Sequence, residues 1–335
     1  MRILRIGDPH IKPSNIEEAD RLMAFAKEII IGSRTGGGVP ITRLEILGDL
    51  FHTHAIIRVE VLDFWNKWLQ IFSSVVETIV LVGNHDQTGD YNNGTHALRS
   101  LKNLMVNNPN LRIVDIATVV GVYGYLPYIH DKQLFLNNAK YLADQGAKIL
   151  VCHATFDGST FENGFYAPEG IDPNLVPFKK IISGHIHREQ VIAGGKVDYP
   201  GTPKWDSASD ANEKKGIWLY EHDDDGNVIN RDMIPTDGRG GCIPIVSFTW
   251  VEGEPAPVIP EDAKAAVELI GSSEWVTKNK AGLKGKVSIK SKITDKKKSE
   301  SRKVGTSFES FLASTFTTTM DKNEILEFAR EIGVA

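Results

Sequence analysis

Cysteine is nearly absent from this chain. Only Cys152 and Cys242 occur among 335 residues, and they lie far apart. That excludes a disulfide framework and fits a reducing compartment. Cys152 ends the apolar run Ile149–Cys152 and reads as a core residue. Long apolar runs are also missing. None approaches the ~18 residues that a membrane span requires, so no membrane partner is expected. The opening Met1–Asp8 is too short and too charged for a signal peptide and reads as a first strand. The expectation is a soluble, cytoplasmic protein. An excess of cations is lacking as well: net charge is −5 and the sequence pI is about 6.1. Bulk charge gives no hint of nucleic acid, so its distribution must be read instead. No internal repeat is evident. The hydrophobic share, 41%, still allows a sizeable core. The length suits one large domain with a smaller one.

What is present alternates. Strand-like runs fall at Ile3–Ile6, Leu44–Leu47, Ile79–Val82, Ile149–Cys152 and Lys180–Ser183. Ala19, Leu22, Met23, Ala26, Ile29 and Ile30 share one helical face, and Val61, Trp65, Trp68, Leu69 and Phe72 share another. Strands alternating with helices predict a layered α/β domain. Beyond Val191 come short strands, Val197–Tyr199, Gly216–Glu221 and Val228–Ile234, with a hairpin turn at Asp224–Asn227. They read as a second sheet packed on the first, giving a four-layer αββα sandwich that closes near Thr236. Gly238–Gly241 and the prolines 255, 257 and 260 read as linkers. Ile243–Val251, Ala263–Ile270 and Lys286–Ile293 suggest strand, helix and strand of a small α+β domain. Lys278–Lys303 carries eleven basic residues against two acidic ones, a local charge of +9. A solvated linker and a phosphate-contacting surface explain this run about equally well. Two short amphipathic helices are expected at the end, one on Phe308, Phe311, Leu312 and Phe316, the next opening at Asp321 with Glu324 as a capping box. They either pack on the body or hook a partner helix.

Five short clusters carry the chemistry: Asp8-Pro-His10, Gly48-Asp49, Gly83-Asn84-His85-Asp86, His153 and Gly184-His185-Ile186-His187. Each follows an apolar run, where an α/β sheet presents its ligands. Asp8-x-His10 alone is weak, although alternation points both side chains one way. Asp49 alone could be a helix cap, and His153 alone a satisfied core histidine. Gly83–Asp86 is the specific one. Together they supply the carboxylate, imidazole and amide oxygen of a two-metal hydrolytic centre, converging on one sheet edge. Two ions roughly 3.5–4 Å apart can clamp the attacking and leaving oxygens of a phosphate ester.

D-x-H, G-D, G-N-H-D, H and G-H-x-H in this order resemble the calcineurin-like metallophosphoesterase superfamily. Gly48–His52, Tyr199–Pro203 and Lys215–Tyr220 are similar to the SbcD-type nucleases, and the length is similar to the recombination endonuclease subunits of tailed phages. The specific motifs cover residues 1 to about 235. The resemblance implies that Asp8, His10 and His187 hold one ion and Asn84, His153 and His185 the other, with Asp49 bridging. It implies two divalent ions, Mn²⁺ or else Mg²⁺; imidazoles and oxygens suit Mn²⁺. His85 would protonate the leaving oxygen or stabilise the transition state. Asp86 would orient the His85 ring, with a turn or helix cap the close second reading. His52 would hold the DNA phosphate. His54 has no family role and reads as an exposed loop residue. Ile11-Lys12-Pro13 stands where family members commonly have glycine, which bears on the shape of that loop.

The implied protein is a DNA nuclease, a 3′→5′ exonuclease on duplex ends and an endonuclease on single strands. It would act in DNA recombination, repair and replication with an SbcC-type coiled-coil ABC ATPase, in a bacterium or a phage-infected host. Domains would run 1–236 (nuclease), 237–294 (DNA-capping), 295–306 (basic linker) and 307–335 (helices for the ATPase). DNA-contacting lysines would be Lys284, Lys286, Lys290, Lys292, Lys296, Lys297 and Lys298. Homodimerisation is implied, with the Val61–Phe72 helix and its two tryptophans contributing. A phosphatase or cyclic-nucleotide phosphodiesterase is the alternative, though a small substrate needs neither lysine-rich segment nor terminal helices. A non-catalytic scaffold is disfavoured by the intact ligand set.

Overall fold

The computed structural model describes residues 1–54, 56–88, 94–106, 108–161, 164–167, 169–283 and 287–294. The terminal helices, the 295–306 linker and Lys284, Lys286, Lys296, Lys297 and Lys298 lie outside the described residues. No helix among the described residues is long and apolar enough to cross a membrane.

One sheet is built from β1 (Arg2–Ile6), β2 (Ile41–Ile46), β3 (Glu77–Leu81), β4 (Leu111–Val114), β11 (Gly216–His222) and β12 (Val228–Pro235), in the order β12-β11-β1-β2-β3-β4. β1 to β4 run parallel, while β11 and β12 form an antiparallel hairpin on the β1 edge. The second sheet takes β5 (Thr118–Val120), β6 (Tyr123–Leu126), β7 (Ile149–His153), β8 (Lys180–Gly184), β9 (Gln190–Ile192) and β10 (Val197–Tyr199), in the order β5-β6-β7-β8-β10-β9. Three apolar layers hold them. α1 (Ile16–Thr35) and α2 (Val59–Val75) cover the outer face of the first sheet, a short α3 (Asn103–Val106) precedes β4, and α4 (Lys132–Asp144) covers the second sheet. Ile3, Leu47, Ile79, Val151, Ile182 and Trp218 fill the seam between the sheets. This is an αββα arrangement.

Two assignments differ from the sequence reading. Gly216–His222 and Val228–Pro235 join the first sheet, whereas Ile149–His153 and Lys180–Gly184 belong to the second. Chain order is a poor guide here, because the chain changes sheets after β4 through short strands, β5 and β6, with weak patterning. The segment at Ala263–Ile270 is a strand, not a helix. β14 (Lys264–Gly271) buries Ala265, Val267, Leu269 and Gly271 and exposes or half-exposes the residues between, so a period of two overrides alanine's helix propensity. The helix of this region is α5 (Ser273–Gly282), opened by Ser272, whose side chain accepts from the Trp275 backbone N–H.

Contacts divide the chain into two units. The first takes Met1–Phe248 and Ala256–Val267; the second takes Thr249–Pro255 and most of the described residues from Glu268 onward. In the second, Trp250 meets Trp275 edge-on at 5.1 Å, and the Glu252 carboxylate accepts from the Ser272 backbone N–H and hydroxyl. Strands β13 (Ile245–Val251), β14 and β15 (Val287–Ile293) form a three-stranded sheet; Lys290 and Lys292 are exposed on β15.

Trp65 and Trp68 are 0% and 5% exposed in the core beneath α2. They cannot also form the dimer surface expected of that helix.

Candidate metal centre

Both sheets, not one edge, deliver the clusters. Asp8 and His10 follow β1, Asp49 follows β2 and Asn84 follows β3; His153 ends β7, and His185 and His187 follow β8. The loops after β1 and β2 continue the parallel pairing: the backbone N–H groups of His10 and Ile11 donate to the carbonyls of Asp49 and Leu50, and that of His52 donates to Ile11. The glycine-free loop after His10 is closed by a 3₁₀ turn, Pro13–Asn15, whose Asn15 side chain donates to the His10 carbonyl and accepts from the Lys12 N–H.

The backbone is strained where the side chains converge. His10, Asp49 and His185 have φ of 45°, 51° and 86°, a region non-glycine residues rarely enter. Such conformations cost of order 1–3 kcal/mol each and gather at functional sites. The motif glycines have a matching cause. A Cβ on Gly48 (φ 109°) would stand 2.4 Å from His153 Nδ1; one on Gly83 would stand 2.2 Å from Asp49 Oδ1.

The seven expected ligands come together. His10, Asp49 and His85 each offer a ligand atom within 4.8 Å of the others, as do Asp49, His153 and His185; Asp49 belongs to both groups. His10 Nε2 and His187 Nε2 are 2.9 Å apart. Asn84 Oδ1 lies 2.9 Å from His153 Nε2 and 2.8 Å from His185 Nδ1. Asp49 Oδ2 is 3.4 Å from His153 and 3.5 Å from His10. The other oxygens are anchored: Asp8 Oδ1 accepts from the His185 N–H, and Asp49 Oδ1 from the His85 N–H, each at 2.8 Å. His153 Nδ1 is held by the Leu47 carbonyl at 2.7 Å.

This donor set fits divalent cations. Asp8 Oδ2 and His10 Nδ1 are buried with no hydrogen-bond partner among the described residues. Burial, and then Asp49, push the Asp8 carboxyl up, against the pull of His153. Burial holds His10 well below the usual imidazole range and His185 down to about 3, so both rings are neutral donors. Burial opposes charge on His153 too, yet Asp49 and Asp8 override it and raise the ring to about 9. Two carboxylates this deep call for positive charge.

His85 stands beside the ligands, half-buried, with Nδ1 2.7 Å from the His52 carbonyl. Here the expectation for Asp86 fails. Its carboxylate accepts from the Phe51 and Gly83 backbone N–H groups, so it closes the turn and does not orient the His85 ring. His52 is exposed, its ring 6.1 Å from that of His85. His54, expected as a plain loop residue, lies closer, with ring centroids 4.0 Å apart.

Several supports escaped the sequence reading. The His187 carbonyl accepts from the Thr202 backbone N–H and from Lys215 Nζ at 3.0 Å. The Tyr199 hydroxyl accepts from the Phe156 N–H and donates to the Ala154 carbonyl, pinning the segment after His153. The Trp218 indole donates to the Pro200 carbonyl. The Tyr199–Pro203 and Lys215–Tyr220 motifs were the available signal; they brace the ligand loops. Tyr128 stacks on His185 at 5.7 Å and had no motif to mark it.

Comparison with known proteins accords with this geometry. The model of the calcineurin-like phosphoesterase family matches residues 1–189. Exonuclease subunit 1 of Enterobacteria phage T4 is 28% identical over 229 residues, 66% of this chain and 65% of that protein. Putative phosphoesterase 244L of Invertebrate iridescent virus 6 is 29% identical over 210 residues, 60% of this chain and 69% of its own. Putative phosphoesterase 078R of Invertebrate iridescent virus 3 is 25% identical, across 60% of this chain and 56% of its own. The chain thus spans under two thirds of the T4 protein. Yfce, a phosphoesterase from E. coli, overlaps 70% of this chain and 100% of its own at 15% identity and a TM-score of 0.30. With more than half of its length matched by the family model, the chain belongs to the calcineurin-like phosphoesterase family.

Proposed function

We propose that this chain is a DNA nuclease using two divalent ions, Mn²⁺ by the imidazole-rich donor set. Asp8, His10 and His187 would hold one ion, Asn84, His153 and His185 the other, and Asp49 both. When bound, the pair makes water nucleophilic near neutral pH and offsets charge on the phosphate. The chain's own part is positional. The His52 carbonyl fixes the His85 ring, so that Nε2 can hand a proton to the leaving oxygen or bond to it. His52 and His54 flank that ring on the exposed side.

The observation that carries this reading is Asp49's membership of both groups, His10–Asp49–His85 and Asp49–His153–His185. For DNA as substrate, support comes from similarity to the T4 exonuclease subunit and from exposed Lys290 and Lys292. The finer proposal keeps 3′→5′ exonuclease action on duplex ends, single-strand endonuclease action, a role in recombination and repair, and a homodimer. It also keeps an SbcC-type ATPase held through residues 307–335. The test is cleavage of linear duplex and single-stranded DNA with Mn²⁺, with and without that ATPase. Removal of residues 307–335 should abolish co-purification with the ATPase and spare hydrolysis of a small phosphodiester. Hydrolysis of phosphomonoesters or cyclic nucleotides, with DNA left intact, would contradict the nuclease reading.

A further inference from the structure

A cavity of about 330 Å³ opens next to the ligand cluster, and the chemistry described so far does not use it. Gln87, His96, Asp115, Ile116, and Leu134 and Asn138 of α4 are among the residues that line it. Tyr128 belongs to both places: it lines this cavity, and its ring stacks on His185 at 5.7 Å and 30°. A larger cleft of about 1000 Å³ contains none of the ligand candidates, and its carboxylates, Asp206, Asp237, Glu261 and Asp262, would repel phosphate.

The smaller cavity has one polar end and an apolar flank. The His96 side chain is only 3% exposed, and its Nε2 lies 3.1 Å from Asp115 Oδ2, which also takes Lys102 Nζ. An ionised carboxylate only accepts, so Nε2 carries the proton. In the neutral ring the other nitrogen, Nδ1, is then an acceptor. Burial keeps this imidazole below its usual range despite Asp115, so the neutral form holds. Nδ1 is buried and has no partner among the described residues. The flank is the reverse. Ile116 is 71% exposed and Leu134 52%, apolar surface left to water. The volume is at the lower end of small-molecule sites. A flat, largely apolar body fits such a place.

We infer that this cavity is a nucleoside subsite: it takes the base of the nucleotide whose phosphate lies at the metal centre, out of the stack, beside the Tyr128 ring and flanked by Ile116 and Leu134. Enzymes that do chemistry on a base take it out of the stack into such a pocket; the proposal extends that seating to a base next to the cleaved phosphate. The inference rests on the nuclease reading and names what that site holds beyond the phosphate.

The test compares two esters on the Mn²⁺-loaded protein: thymidine 5′-(4-nitrophenyl phosphate), and bis(4-nitrophenyl) phosphate, which has no base. Leu134→Trp and Ile116→Trp fill the cavity, at positions exposed enough to accept the bulk. Each should lower the ratio of kcat/KM, thymidine ester over base-free ester, about tenfold, the equivalent of one lost apolar contact. The inhibition constant of thymidine 5′-monophosphate should rise in parallel. An unchanged ratio in both variants, or equal loss on both esters, overturns the subsite. If wild type cleaves DNA yet shows no preference for the thymidine ester, the subsite falls and the nuclease reading stands. If wild type prefers the thymidine ester yet leaves DNA intact, the nuclease reading falls and the subsite stands.

Discussion

Protonation of His222 should weaken the seam on which the metal centre depends. His222 sits on β11, 2% exposed. Its Nδ1 donates to the Gly226 carbonyl at 3.0 Å, and its Nε2 accepts from Arg5 at 3.1 Å. Arg5 in turn pairs with Glu45, which accepts from the Tyr125 hydroxyl of the opposite sheet. A proton on Nε2 would face the guanidinium. Burial, and then Arg5, bring the imidazole down to about 4 from 6.5. The unfolded chain therefore binds this proton more readily than the folded one. Its contribution to stability is complete above pH 6.5 and is lost as pH falls from 6.5 to 4. The difference of about 2.5 pH units corresponds to roughly 3 kcal/mol. His222→Asn keeps a donor for Gly226 and removes the titration. Urea unfolding of both proteins in chelator, from pH 7.5 to 4, isolates the effect, since other acid-sensitive groups cancel in the difference. Wild type should lose about 3 kcal/mol relative to the variant over that range. A difference that stays flat with pH refutes the reasoning.

His85→Ala should leave metal stoichiometry intact and slow DNA cleavage by about 10²–10⁴-fold, the usual worth of a positioned acid–base group; activity within a few fold of wild type would remove His85 from the reaction. Gly48→Ala places a methyl on His153 and forces φ 109° on a residue with a Cβ. Thermal or urea unfolding should show a loss of at least about 2 kcal/mol, and stability equal to wild type would mean the loop relaxes freely. Lys290→Gln with Lys292→Gln should flatten the dependence of DNA affinity on salt by about two counterions; an unchanged slope would take β15 out of the interface.

The candidate site was largely legible because its residues are tied to strand ends. Apolar runs located β1, β2, β3, β7 and β8, and the polar residues after them could be read off directly. Their meeting across two sheets was not legible. Nothing local in Ile149–His153 says that it pairs with β6 and β8 rather than with β1, β2 and β3. Asp86 shows the limit within a motif: the same carboxylate can serve a ring or a turn, and two backbone N–H groups won. Tyr128 was silent because its partner lies far along the chain; Thr202 and Lys215 lay in recognised motifs, but their task was hidden because their partner is a backbone carbonyl. Ala263–Ile270 misled through composition, while its alternation, the truer signal, was in the sequence throughout.

The most direct measurement is the metal content of the purified chain, equilibrated with Mn²⁺, freed of excess ion and analysed by mass spectrometry. Two ions per chain are expected in wild type, falling to one or none in Asp49→Asn together with loss of phosphodiester hydrolysis. No bound manganese in wild type, or two ions retained by an Asp49→Asn protein that still cleaves, would contradict a centre built on one shared carboxylate.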